Sequence, residues 1–222
     1  MDFSIPLLIA AWFIQMGAHE GAHAYAADYF GDDTAQLLGK RSINPLAHIE
    51  WGNISSVMLS VVVPVVTAVL GYVPMGMAWV PVNPRNFRCR DVDRNMALVS
   101  LAGPMGNIAV VLLCFAVHLA LGTLTQHPPV NGLDLPGVIW LADKATYYIA
   151  VTSLIYGLFN LLPIPPLDGG SIFRYFLPEG GREILDNVRP YGLFIVMALF
   201  WGGGPAAEAF FAVIDRLQQL WF

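Results

Sequence analysis

The stretch Gln15-Met16-Gly17-Ala18-His19-Glu20-Gly21-Ala22-His23 lies inside an apolar run that begins at Phe3 and continues to about Phe30. On a helix, His19 and His23 share one face, one turn apart. That spacing lets two imidazoles grip one metal ion, with Glu20 between them as a candidate base for an activated water. A charged group at the centre of a membrane helix costs about 2.5–3.5 kcal/mol on insertion scales, so two His and a Glu require an offset. At about 1.5 Å per residue, a helix over 3–27 crosses ~30 Å of hydrocarbon. The His pair then lies roughly 8–14 Å below the aromatic and polar end formed by Tyr25, Asp28, Tyr29 and Phe30.

The rest of the composition agrees with a membrane setting. Of the 222 residues, 56% are hydrophobic and only 12% charged, whereas soluble domains carry about 25% charged residues. The chain therefore reads as an all-α polytopic membrane protein. The net charge of −5 resides in a few links, and no basic patch points to nucleic acid as a partner. Cys89 and Cys114 are far apart and read as plain thiols. Met1-Asp2-Phe3 lacks the positive start of a signal peptide, so the first apolar segment is expected to be a retained span.

Taken in order, the sequence reads as one domain over 1–222, with about four to six membrane segments. Spans are expected at about 3–27, 96–121, 145–162 and 190–202, with a C-terminal helix at about 205–222. The polar link 31–52, with Gly39 and Asn44-Pro45, suggests turns and short β elements after the first span. The apolar run 54–80 is broken by Pro64, Gly71, Pro74 and Gly76. Three links, holding Lys40 and Arg41, Arg85 to Arg94, and Arg174 to Arg189, contain nine of the eleven Lys and Arg residues. By the positive-inside rule all three are cytoplasmic, and the Arg-free link at 122–141 is outside. Segment 54–80 then has cytoplasmic links at both ends and is expected to be re-entrant or a tight hairpin, a single crossing being the alternative.

A catalytic zinc takes three protein ligands and keeps one open position. His118 stands late in its own span, and His48 and His127 fall in links. Asp168 differs: it follows Pro163, Pro165 and Pro166, which interrupt a helix at the depth of the His pair. Such unwound backbone is tolerated at membrane depth only where protein covers it or a wet cavity adjoins it. An extended segment presenting a carboxylate there suits a third ligand.

His19-Glu20-Gly21-Ala22-His23, Gly31-Asp32, Asn44-Pro45, the run LAGPMGN at 101–107 and NLLPIPPLDGG at 160–170 together resemble the site-2 protease family of intramembrane zinc metalloproteases, peptidase family M50. The match covers roughly residues 15–172. The resemblance implies that His19, His23 and Asp168 bind one zinc ion per chain, that Glu20 is the catalytic base, and that Asn160 helps steady the reacting peptide. Read from the residues alone, Asn160 could instead cap or bond a neighbouring helix. The family usually shows Asp-Pro after the His of its Asn-Pro-x-x-His element, whereas Glu50-Trp51 follow His48-Ile49 here. No PDZ or CBS module is expected, as in a minimal core member.

The expected function is that of an intramembrane zinc metalloendopeptidase hydrolysing peptide bonds in or near transmembrane segments of membrane-protein substrates. The expected location is multi-pass in a prokaryotic inner membrane, with the active site toward the cytoplasm and the lipid bilayer as surroundings. The alternative is a membrane metal-binding or metal-transport protein without peptidase activity.

Overall fold

The computed structural model describes residues 4–89, 91–124, 135–200 and 204–219. Helix α1 (Ser4–Phe30) carries Pro6 in its first turn, where a missing N–H breaks no helical bond. It ends at Gly31, whose φ of 108° lets the chain turn back so that Gly31 and Asp32 donate to the Asp28 and Ala27 carbonyls. Asp32 is fully buried and collects four donors: the Thr34 N–H and hydroxyl, the Asn83 N–H at 2.6 Å and the Asn86 amide at 2.9 Å. Burial pushes its carboxyl up, but these hydrogen bonds outweigh burial and hold it below the ordinary value of 3.8. Asp32 thus ties the end of α1 to residues 83–86.

The link after the helical turn α2 (Thr34–Leu37) runs along α1. Its residues 42–45 lie directly on α1: a Cβ on Gly17 would strike the Ile43 carbonyl, and one on Gly21 would come within 2.8 Å of the Ser42 carbonyl. By helix rise these contacts are about 14–20 Å along α1 from Phe30. The buried Lys40 pairs with Glu50 at 2.7 Å and closes the loop. Glu50 therefore has a structural role, as the partner of a buried lysine. The short β elements expected here are not formed, and no strand occurs among the described residues. Residues 42–45 pack on a helix rather than beside another extended segment. Their polar groups bond locally instead, as when the His48 Nε2–H donates to the Ser42 carbonyl at 2.8 Å and Asn44 accepts from the Leu46 N–H.

Helix α3 (Ile54–Val69) opens with Asn53 accepting from the Ser55 and Ser56 N–H groups. It widens into a π-turn over Met58–Val62, just before Pro64. Pro64 has no N–H for the Ser60 carbonyl four residues back, and the Trp12 indole N–H takes that acceptor at 2.8 Å. After a turn at Gly71 (φ 85°), the chain runs back along α3. Met77 donates to the Leu59 carbonyl, and the Ser60 hydroxyl donates to the Met77 carbonyl. Tyr156 fixes this return from the far side, donating to the Pro74 carbonyl at 2.6 Å and accepting from the Gly76 N–H at 3.2 Å.

Helices α4 (Val92–Leu124) and α5 (Leu135–Asn160) pack with α1 as a three-helix core. They begin earlier than the expected spans at 96–121 and 145–162. Among the described residues they are the two helices long and apolar enough to cross a bilayer. Helix α1 has the length, at 27 residues, but Gln15, His19, Glu20 and His23 interrupt its apolar surface, and α4 and α5 cover them. The chain continues through a proline-rich turn into α6 (Asp168–Phe176), α7 (Glu179–Val188), α8 (Gly192–Phe200) and α9 (Pro205–Gln218). Where a span was expected at 190–202, α8 has nine residues, about 13 Å by helix rise.

Two outcomes follow. Tyr156→Phe removes a hydroxyl that serves two buried backbone groups, so the return segment should loosen by about 1–3 kcal/mol. This is read as faster labelling of a cysteine placed at Met75. Asp32→Asn should lower the melting temperature at neutral pH. Because the native carboxyl is held below 3.8, its contribution is present above that value and fades as pH falls through it; melting curves of the two proteins should converge in acid.

Candidate metal centre

His19 and His23 occupy successive turns of α1 on the side facing α4. Asp168 is the first residue of α6, reached through Pro163, Pro165 and Pro166. A helix N-terminus favours a carboxylate. Gly169 makes this placement possible, because a side chain there would strike the Leu161 and Leu162 carbonyls. Across the same turn, Gly192 at the start of α8 lies on the Pro165 carbonyl with no room for a Cβ.

The three side chains converge. His19 Nε2 and His23 Nε2 are 3.1 Å apart, and Asp168 Oδ2 stands 3.1 Å from the first and 3.3 Å from the second. All three residues are largely buried, and Asp168 Oδ2 has no hydrogen-bond donor. The other ring nitrogens determine what the Nε2 atoms can do. His23 Nδ1 lies 2.7 Å from the Val99 carbonyl, which can only accept, so Nδ1 carries a proton and, in the neutral ring, Nε2 is a lone pair. His19 Nδ1 lies 3.2 Å from the Asn107 side chain. The amide orientation that satisfies every neighbour has its oxygen accepting from His19 Nδ1 and the Gly157 N–H, while its nitrogen donates to the Gln15 carbonyl. His19 Nε2 is then also a lone pair.

Three lone pairs about one point repel one another unless a cation sits among them. Zinc bonds His nitrogen and carboxylate oxygen at about 2.0–2.2 Å, so neighbouring ligands of a tetrahedral site stand about 3.3–3.5 Å apart. The observed separations of 3.1–3.3 Å fit that figure closely. Two nitrogens and one oxygen also match the donor set of a catalytic zinc, which leaves a fourth position open.

Other side chains frame this triangle. Gly103 of α4 lies against both imidazoles, and a Cβ there would collide with His23 and come within 2.7 Å of His19 Cε1. Gly106 allows α4 a similarly close approach, since a Cβ would stand 2.8 Å from the Ala18 carbonyl. Glu20, 7% exposed, is about 100° around α1 from both His19 and Gly21. It thus lies between the imidazole face and the face covered by residues 42–45. Glu20 is not among the atoms that cluster within 4.8 Å, which come from His19, His23 and Asp168 alone among the described residues.

The remaining candidates lie elsewhere. Asn160, the last residue of α5, donates to the Tyr156 carbonyl of its own helix at 3.0 Å. His48 is buried on the Ser42 carbonyl, and His118 pairs with Asp143 at 2.6 Å, about 22 Å along α4 from Gly103. His127 lies outside the described residues. The residues that sequence reading did not connect to the centre are Val99, Gly103 and Asn107. Gly103 and Asn107 lie in the run LAGPMGN at 101–107, which carries the family resemblance but implied no part in a metal centre, and nothing in the sequence singles out Val99.

Gly103→Ala should cut zinc affinity sharply with little change in the apo fold, as measured by chelator competition and thermal melting. Asn107→Leu frees the His19 ring to turn, and loss of such an outer hydrogen bond costs about 10–100-fold in metal affinity.

Comparison with known proteins bears on this centre. Residues 134–202 match the family described as peptidase family M50. YwhC of Bacillus subtilis (strain 168) is 31% identical over 202 residues, 88% of this chain and 80% of that protein. Rip2 of Mycolicibacterium smegmatis is 30% identical over 196 residues, 87% of this chain and 66% of that protein. Rip2 of Mycobacterium tuberculosis (strain ATCC 25618 / H37Rv) is 29% identical over 194 residues, again 87% of this chain and 66% of that protein. All three are named as zinc metalloproteases. No solved structure matches the chain. The chain belongs to peptidase family M50, the site-2 protease family, and is a membrane zinc metalloprotease.

Proposed function

We propose that this metalloprotease cleaves peptide bonds within or beside the transmembrane segments of membrane-protein substrates, using one zinc ion per chain held by His19, His23 and Asp168. The observation that carries the reading is the triangle of His19 Nε2, His23 Nε2 and Asp168 Oδ2, with edges of 3.1, 3.1 and 3.3 Å. Zinc, when bound, supplies a Lewis acid for the scissile carbonyl and makes water acidic enough to attack near neutral pH.

Every other part of the reaction falls to the chain. Glu20 accepts the proton of the attacking water and returns it to the leaving amine. The Val99 carbonyl and Asn107 keep both imidazoles in the tautomer that ligates. Asn160 turns from its own helix to hold the substrate backbone or its developing oxyanion. A helical substrate must unwind before its peptide bonds are accessible. Residues 42–44, beside the Glu20 side of α1, and residues 161–167, leading to Asp168, are non-helical backbone next to the site. Either can pair with an unwound strand by edge addition.

In the bilayer, α1, α4 and α5 cross, and 54–80 forms a re-entrant hairpin whose return ends at Asn83 on Asp32. With α8 and α9 this gives a multi-pass arrangement within the four to six segments the sequence suggests. The Asp32 end of α1, and with it the metal centre, faces the cytoplasm of a prokaryotic inner membrane, a reading that the arginine-bearing links support through the positive-inside rule.

The test is Glu20→Gln in proteoliposomes with a membrane-embedded reporter substrate. Cleavage should fall by about 10²–10⁴-fold while zinc content stays near one per chain. Full activity would overturn the base assignment, and loss of zinc would move Glu20 into the ligand set.

A further inference from the structure

Helix α6 begins with the ligand Asp168 and has only nine residues. A helix this short has little stability of its own, so its placement depends on what holds its two ends. The proline turn and Gly169 hold the first end. The second end is held by charge.

Asp93, in the first turn of α4, uses both carboxylate oxygens. Oδ1 accepts from Arg174 of α6 and Oδ2 from Arg182 of α7. Arg182 also donates to the Leu177 carbonyl at 2.9 Å and the Tyr175 carbonyl at 3.3 Å, covering orphan acceptors where α6 ends. Arg174 reaches the other way to Asp186 of α7, with contacts of 3.0–3.3 Å. These arginines are neutralised inside the protein, so they do more than signal topology.

Helix α4, which Asp93 opens, carries three parts of the metal centre: the Val99 carbonyl on His23, Gly103 against both rings, and Asn107 beside His19. Arg174 is about 9 Å along α6 from Asp168. One carboxylate therefore connects the helix that orients the imidazoles to the helix that supplies the third donor. We propose that Asp93 is a positioning residue for the metal centre: by engaging Arg174 and Arg182 together it locks α6 onto α4 and sets where Asp168 stands against His19 and His23. This rests on the reading of those three residues as zinc ligands.

The experiment uses the full-length protein in detergent, stripped of metal and titrated with zinc against a chelating dye. Cobalt(II) loading then reports ligand geometry through its visible absorption. Asp93→Asn should weaken zinc binding by about tenfold and shift the cobalt spectrum, while the melting temperature of the apo protein holds. Asp93→Glu should restore part of the affinity. Asp186→Asn, which touches only Arg174, should stay within about twofold of the parent, because an exposed ion pair contributes little. Zinc affinity within about twofold of the parent and an unchanged cobalt spectrum in Asp93→Asn would overturn the proposal. If Asp93→Asn does not fold, Arg182→Gln takes its place with the same criteria, because it keeps the Arg174 arm. His23→Ala separates the two readings: if it binds zinc as the parent does, the ligand assignment fails rather than the clamp.

Discussion

Three buried lone pairs directed at one point are the constraint on which the rest of the molecule depends. With both rings neutral, His19, His23 and Asp168 offer one another no proton at Nε2, Nε2 and Oδ2, yet they stand 3.1–3.3 Å apart. Without a cation that arrangement is repulsive, and in an apolar bundle the repulsion is poorly screened. Much of the nearby architecture keeps the three atoms from relaxing apart. The Val99 carbonyl and the Asn107 side chain fix the two rings, Gly103 brings α4 close, and the proline turn delivers Asp168 at the start of a helix.

The same logic of satisfying buried groups organises the other side of α1. Pro64 leaves the Ser60 carbonyl without its helical donor, and Trp12 supplies one from α1. Tyr156 meets two backbone groups of the return segment from α5 and packs its ring 5.1 Å from that of Trp12. A helix break that would be costly alone becomes the contact that holds 54–80 against two helices. Gly17 and Gly21 do the equivalent for residues 42–45, whose backbone lies on α1 because no side chain intervenes.

The three residues that converge, His19, His23 and Asp168, were legible in the sequence because their chemistry is strongly local. Histidines four apart on a helix share a face whatever surrounds them, and three prolines in four residues end a helix wherever they occur. The three-helix core was legible from its apolar runs, though its boundaries moved. The course of 31–52 was not. Its polar composition and turn residues read as a surface link with β pieces, while its path along α1 depends on Gly17 and Gly21, which are many residues away. The roles of Asn107 and Asp93 were hidden for a similar reason: nothing near either residue in the sequence shows which group it meets. Each becomes specific only when its partner across the fold is known. Of the apolar run at 190–202, Gly192–Phe200 forms α8, and 201–203 lie outside the described residues.

The separation of the ligands along the chain has a consequence for biosynthesis. His19 and His23 are made first, and Asp168 follows about 145 residues later. At roughly 5–20 residues per second, the ribosome needs on the order of ten to thirty seconds to reach it. Through that interval a helix bearing two imidazoles and a carboxylate is in or near the translocation machinery with its binding site unfinished. With the proposed ligand set, high-affinity capture of zinc belongs to a step after α5 and α6 have joined α1. A half-made chain lacks the complete centre, which separates the making of the protease from the onset of its activity.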